Sequence, residues 1–146
     1  MLDVAPMDLV LLEDEEANRV RVTVLGEYPQ EPGGSSRSAG LRAEVVVETP
    51  FVSGREDLAL WSSRLEEWRQ ALDRLSAGED AGWMTVGSGL SLFIRLKGER
   101  DCPEVVVEEA TSSMVTVRVP IDLPEGWIED HRQRLRTLLD AWNPGA

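Results

Sequence analysis

The sequence predicts an α+β domain in which about eight antiparallel β-strands, in one or more sheets, are covered by two amphipathic helices. Most of the chain consists of short segments with apolar side chains at every second position, separated by turn residues, which is typical of half-buried strands. Two longer segments instead repeat apolar residues at helical spacing. Because 146 residues is an ordinary size for one domain, we expect a single domain over residues 1–146.

The first half of the chain is predicted to contain four strands. After a loose N-terminus at residues 1–6, these are expected at residues 7–13, 19–25, 41–49 and 56–61. The segment 26–40 is rich in proline, glycine and serine, which predicts a mobile surface loop.

A helix is predicted over residues 62–77, directly after these strands. Its apolar stripe consists of Leu65, Trp68, Leu72 and Leu75. Ser63 and Glu66 have the spacing of a capping box, in which a serine side chain satisfies the first free N–H groups of a helix. Gly78 is expected to end the helix.

The second half repeats this order of elements. Strands are predicted at residues 82–86, 90–96, 103–109 and 114–121, with a hairpin turn at residues 87–89. A helix is predicted over residues 126–142, with an apolar stripe of Ile128, Leu135, Leu138, Leu139 and Trp142. The strand sequence at residues 44–48 recurs at residues 104–108, and the two helical stripes share their spacing. Two explanations stay open: a duplicated ββββα unit, or chance similarity between valine-rich strands.

The formal net charge of −12 restricts the class of partner. Such a chain repels nucleic acid and anionic lipid, and its field favours a basic protein. We therefore expect neither nucleic-acid nor membrane binding, and no segment approaches the ~20 apolar residues of a membrane-spanning helix. The alternative is that the charge only maintains solubility. The N-terminus lacks the features of a secretory signal, and the single cysteine forms no internal disulfide, so a cytoplasmic location is predicted.

Catalytic motifs are not evident in the sequence. His131 is the only histidine and lies near the apolar stripe of the second helix, so a structural role is favoured over a general base. Cys102 precedes a proline and has neighbours of mixed charge, which favours a non-catalytic thiol. The sequence therefore predicts a protein that is not an enzyme and needs no cofactor.

Carboxylates are the most numerous candidate site residues. Residues 13–16 form an acidic turn whose spacing does not match a calcium loop. An alternative reading, a metal or acid–base site on neighbouring strands, would use Glu44, Glu48, Glu104 and Glu108. Charges that guard strand ends against aggregation explain the same four residues more simply. Of the five tryptophans, Trp127 is the best candidate for an exposed interface anchor. The predicted partner-binding residues are Glu13, Asp14, Glu15, Glu16, Glu79, Asp80 and Trp127.

Five segments, at residues 48–54, 65–68, 102–108, 119–120 and 126–128, resemble an uncharacterised bacterial family catalogued as a domain of unknown function. The resemblance runs from Met7 to Trp142 and implies no activity. The layout is also distantly similar to immunity proteins of the WapI type, which neutralise secreted toxins by binding them. That similarity implies an inhibitor. We thus expect an acidic binding module, with a carboxylate enzyme and a self-assembling structural domain as the alternatives.

Titration with divalent ions separates the binding and enzyme hypotheses. We expect the thermal unfolding midpoint to stay unchanged when magnesium, calcium, manganese or zinc is added, because the four glutamates are interpreted as solvated strand ends. A midpoint that rises with the concentration of one of these ions, and returns when a chelator is added, would instead support the metal-dependent enzyme.

Overall fold

The computed structural model describes residues 6–28, 40–85, 89–99 and 101–142. Four strands, β1 (Met7–Glu13), β2 (Arg19–Glu27), β3 (Leu41–Glu48) and β4 (Ser53–Leu60), precede the helix α1 (Ser62–Ser76). Four more, β5 (Ala81–Trp83), β6 (Leu90–Arg95), β7 (Glu104–Glu109) and β8 (Thr116–Pro120), precede α2 (Trp127–Ala141). Each group of four pairs in sequence order as an antiparallel sheet, β1 to β4 in one and β5 to β8 in the other. The predicted α+β class is confirmed.

Alternation of apolar and polar side chains builds both sheets. In the first, Val20, Val22 and Val24 are fully buried, and their register partners Val47, Val45 and Ala43 are buried beside them. In the second, Leu92 and Ile94 pair with Val107 and Val105 in the same way. The inward residues of both sheets and both helices form one continuous core. Each such side chain contributes about 1.5–3 kcal/mol through removal from water.

Several predicted boundaries shift. Gly26 and Glu27 belong to β2, and the N–H of Tyr28 donates to the C=O of Gly40 at 3.0 Å, so this stretch of the predicted loop extends a hairpin. The remainder, residues 29–39, lies outside the described residues, as do residues 1–5 of the predicted N-terminus and residues 87–88 of the predicted turn. β4 begins at Ser53, earlier than predicted, and β5 ends at Trp83.

The predicted capping box is wrong. β4 leads almost directly into α1, so the helix begins at Ser62 and its N-cap residue is Trp61, which makes no side-chain capping hydrogen bond. Ser63 therefore lies within the first turn and is not the cap. Glu66 pairs with Arg69 on the exposed helix surface and does not reach back to the cap.

Each helix packs against the first strand of the other half of the chain. α1 lies against β5, and the ring of its buried Trp68 contacts Trp83 with centroids 4.8 Å apart. Trp83 Nε1 donates to the C=O of Arg64 at 2.8 Å, and the N–H of Met84 donates to Glu67 Oε1. Side-chain and backbone groups of α1 thus satisfy polar groups at and beyond the end of the edge strand β5.

The helix α2 covers β1 in the corresponding way. The N–H of Leu11 donates to His131 Nε2 at 3.0 Å, and Arg134 Nη1 donates to the C=O of Asp8 at 2.9 Å. Between the helices, the Trp68 and His131 rings meet edge to face with centroids 6.4 Å apart. Backbone N–H and C=O groups at the outer edge of β1 are therefore hydrogen-bonded by side chains of α2, and this protects the edge from pairing with another chain.

The repeated ββββα unit that the sequence suggested is present in the architecture. The matching segments at residues 44–48 and 104–108 occupy the third strand of each sheet. Trp68 follows Leu65 by three residues on α1, and His131 follows Ile128 by three residues on α2. Trp68 and His131 thus occupy corresponding positions in the two helices, and their rings are in contact.

His131 has a structural role, as predicted, because it is 1% exposed and both ring nitrogens have partners. Since Nε2 accepts a hydrogen from Leu11, the proton of the neutral ring is on Nδ1, which donates to the C=O of Trp127 at 2.6 Å. Burial lowers the pKa of His131 below its ordinary value, and the nearby charge of Arg134 lowers it further, which outweighs the opposing effects of the Trp127 carbonyl and Asp130.

A neutral buried histidine predicts a pH dependence of stability. Because the pKa is lower in the folded than in the unfolded chain, this contribution is complete above about pH 6.5 and is lost as pH falls toward the folded pKa. We expect the free energy of unfolding, measured with urea, to fall between pH 7 and pH 5. H131Q keeps an acceptor for Leu11 without titrating, so its stability should change less over this range; parallel curves for the two proteins would contradict the assignment.

Candidate functional site: an acidic cleft

A large surface cavity lies where the turn between β1 and β2 approaches the segment that leads into α2. Its volume is about 910 Å³. We call it the acidic cleft; its described lining residues are Glu13, Asp14, Glu15, Glu16, Asn18, Cys102, Pro120, Asp122, Leu123 and Pro124. Five of these ten side chains are carboxylates and none is cationic, so the cleft has a negative potential.

Asp14 organises the turn that forms one wall. Its Oδ1 accepts hydrogen bonds from the N–H groups of Glu16 at 2.9 Å and Asn18 at 3.2 Å, and its Oδ2 accepts from the Asn18 side chain at 3.2 Å. Burial raises the pKa of Asp14, but these bonds and one from the N–H of Asp122 outweigh it, so the net shift is below the ordinary value. The ionised carboxylate is the form that holds the turn together.

Contacts with the opposite wall set the width of the cleft. Asn18 Nδ2 lies 3.5 Å from the C=O of Pro120, and the N–H of Asp122 approaches Asp14. The N–H of Ile121 donates to the C=O of Pro103 at 3.0 Å, which holds the second wall beside the turn that contains Cys102. The acidic turn is therefore fixed on a platform made by the second half of the chain.

Glu15 and Glu16 are the free charges of the cleft. Glu13 forms an ion pair with Arg19 at 2.8 Å, and Asp14 is engaged in the turn. Glu15 and Glu16 are exposed, and neither has a cationic partner within the part of the chain that the structure describes. These two carboxylates, with exposed Asp122 across the cleft, are available to an incoming cation.

Comparison with known proteins places the chain in a family. A family of unknown function, DUF5959, matches residues 7–143. The chain belongs to this family. No curated protein and no solved structure matches it. In the described part of this DUF5959 protein, neither helix is long and apolar enough to cross a membrane.

Trp127 is not the exposed anchor that the sequence suggested. It is half-buried, and its ring meets His131 edge to face with centroids 5.8 Å apart. It lines a smaller cavity of about 170 Å³ that shares Glu13 and Pro124 with the acidic cleft. Trp61 is the more exposed tryptophan, at 41%. Trp127 therefore borders the site without presenting its whole ring.

Glu79 and Asp80 lie apart from the acidic cleft. Glu79 approaches Arg74 at 3.6 Å, and Asp80 Oδ1 accepts the N–H of Leu96 at 2.9 Å. Neither residue lines the acidic cleft. Of the seven predicted partner-binding residues, the structure brings together the four of the acidic turn, with Trp127 adjacent.

The four glutamates of the alternative site are separated. Glu44 and Glu48 are on β3 in the first sheet, whereas Glu104 and Glu108 are on β7 in the second. Arginine charges lie near three of the four. Glu48 binds Arg21 at 2.9 Å, Glu44 lies near Arg55, and buried Glu104 lies 3.4 Å from Arg118 Nε. Among the residues described, no group of three or more His, Cys, Asp and Glu side chains is placed to hold a metal ion.

Asp122, Leu123 and Cys102 belong to the cleft but were not predicted as site residues. Asn18 and Pro120, whose contact joins the two walls, are 102 residues apart in the sequence. Pro120 and Pro124 bracket a short irregular segment, and this was the only local sign that the chain crosses the surface there.

Replacing the carboxylate of Asp14 should loosen the turn. We expect D14A to lose about 1–2 kcal/mol of unfolding free energy, because several N–H groups lose their acceptor. Amide hydrogen exchange at Glu16 and Asn18 should accelerate. E15A is the matched control, since its exposed side chain has no described partner. Equal stability of D14A and E15A would show that Asp14 does not organise the turn.

Proposed function

We propose that this domain is a binding module whose acidic cleft receives a basic segment of another protein. The exposed carboxylates of Glu15 and Glu16, which have no described cationic partner and line the same cleft as Asp122, are the observation that supports this most directly. Their fixed placement on a hydrogen-bonded turn lowers the entropy cost of binding a cation.

The chemistry of the cleft fits an arginine or lysine side chain. Carboxylates on both walls can pair with the charged head group, and arginine can bind a carboxylate with two parallel hydrogen bonds. Leu123 and the two prolines of the second wall supply apolar surface for the aliphatic part of such a side chain. An exposed ion pair contributes only about 0.2–1 kcal/mol, so the partner needs several basic residues.

The overall charge of −12 adds a kinetic argument. A strongly acidic surface accelerates the encounter with a basic protein and makes the association rate depend on salt. An immunity or inhibitor protein that occludes the site of a basic toxin in the cytoplasm would use this property, in keeping with the resemblance to WapI-type proteins.

Binding is favoured over catalysis by the state of the two candidate catalytic groups. Both ring nitrogens of His131 are occupied within the core, so the ring has no nitrogen free for proton transfer to a substrate. Cys102 borders the acidic cleft, where the described lining residues include no cation that would stabilise a thiolate.

Neutralising the cleft should slow association with the partner. The chain is immobilised, the protein that it captures from its native host is identified, and association is followed by stopped flow. We expect E15Q/E16Q to reduce the association rate several-fold at ~50 mM salt, and the difference from the unmodified chain to shrink as salt rises.

The matched control is E108Q/D140N, which removes the same charge from exposed positions outside the cleft. An equal reduction by both double variants would assign the effect to net charge and count against the cleft. An association rate that ignores ionic strength would refute the electrostatic mechanism altogether.

A further inference from the structure

Among the described residues, the outer edge of β4 is uncovered from Ser53 to Asp57, and only nearer its end is a backbone group, the C=O of Ala59, bound by Arg64. β1 and β5 are covered by helices, and β8 is short and ends at a proline. β4 has eight residues, of which Ser53 to Asp57 are exposed, and β3 is the only described strand that pairs with it. An exposed edge of this length can accept another strand.

Alternate residues of β4 turn their backbone groups toward this edge. The N–H of Thr49 donates to the C=O of Val52 at 2.9 Å and begins the ladder with β3, so Gly54 and Glu56 also bond to β3. The backbone groups of Arg55 and Asp57 therefore point outward. The outward C=O of Ala59 agrees with this alternation, since it is bound by Arg64 Nη1 at 2.7 Å.

We propose that this edge binds the same edge of a second copy of the chain, antiparallel and centred on Glu56. In this register Arg55 of each copy lies opposite Asp57 of the other, so that opposite charges face each other in two places. Every symmetric register places one residue opposite its own copy, but centring on Arg55 or on Asp57 would form no Arg55–Asp57 pair to offset that like-charge contact. Charge complementarity thus selects one register.

The charges within one chain favour this addition. Asp57 lies directly opposite Glu44 in the register of β3 and β4, an arrangement of like charges that is unfavourable. Arg55 only weakly offsets it, since its side chain is 73% exposed and lies 3.9 Å from Glu44. Arg55 of the second copy would supply the cation that Asp57 lacks among its described neighbours.

Exposed aromatic side chains lie at matching distances from the centre. Phe51 is five residues before Glu56 and 95% exposed, and Trp61 is five residues after it and 41% exposed. Phe51 lies in the turn before β4 and Trp61 at the start of α1, so these aromatic residues flank the two ends of the proposed contact. The Trp61 ring already stacks on Tyr28 at 6.4 Å, which gives a rigid surface for this contact.

Glu56 faces its own copy at the centre, and this like-charge contact makes the register testable. Sedimentation velocity at ~150 mM salt should show a monomer–dimer equilibrium. R55D and D57R should each raise the dissociation constant at least tenfold, whereas R55D/D57R should restore it to within about threefold. E56Q should lower it. K97D changes the net charge as R55D does, at an exposed position outside the edge, and should have little effect.

A disulfide at the centre provides an independent test. Residues directly opposite each other at a non-hydrogen-bonded position of an antiparallel pair have Cα atoms about 4.5 Å apart, within the range of a disulfide. E56C/C102S should form a covalent dimer on mild oxidation, and D140C/C102S, on the exposed face of α2, should not.

Three outcomes would overturn the proposal. The first is a chain that remains monomeric up to ~1 mM. The second is a dimer that R55D and D57R leave unchanged, which would place the contact on another surface. The third is a dimer in which E56C/C102S does not cross-link. None of the β4 residues lines the acidic cleft, so these results are independent of the proposed binding of a basic protein.

Discussion

The structure depends on the way in which each helix covers the sheet of the other half of the chain. An antiparallel sheet of four strands has two edges, and an uncovered edge exposes unpaired N–H and C=O groups. Here α2 binds the edge of β1 through His131 and Arg134, and α1 packs on β5 and binds the groups that follow it. The contact between Trp68 and His131 joins the helices at the centre. Two sheets that share no described ladder thereby form one core.

This crossed arrangement also creates the acidic cleft. The chain leaves β8 in the second sheet and must reach β1 in the first before α2 begins. Residues 121–126 make this crossing and pass beside the turn between β1 and β2. There Asp14 accepts the N–H of Asp122, and Asn18 approaches the C=O of Pro120 at the end of β8. The acidic cleft therefore arises because α2 must reach and cover β1. Its acidic wall is rigid because it contacts the segment that connects β8 to α2.

The sequence predicted the elements of the fold much better than their assembly. Period-two alternation at Val20, Val22 and Val24 and the stripe of Leu65, Trp68 and Leu72 are local patterns, and each was confirmed. The capping box was wrong because β4 enters α1 without a loop, which moves Ser63 inside the helix. A two-residue motif carries no information about where the preceding strand ends.

The candidate site was predictable only in part. The run of four acidic residues at positions 13–16 marked one wall, because consecutive charges rarely lie in a core. Asp122 and Leu123, on the opposite wall, could not be assigned to the same site, since the contact between the walls depends on pairing between distant segments. The exposure of Trp127 was also misjudged: its ring packs on His131 one turn further along α2, on the side of the helix that meets β1.

The cover of the first strand also constrains how the chain acquires its structure during synthesis. Leu11 donates its hydrogen bond to His131, 120 positions later in the sequence. The outer edge of β1 therefore stays uncovered in a nascent chain until α2 has left the ribosome. Contacts of such long range slow folding. Each half needs the helix of the other half to cover its edge strand. A ribosome that stalls between the halves would therefore release a sheet in which the edge of β1 is uncovered and can pair with another chain.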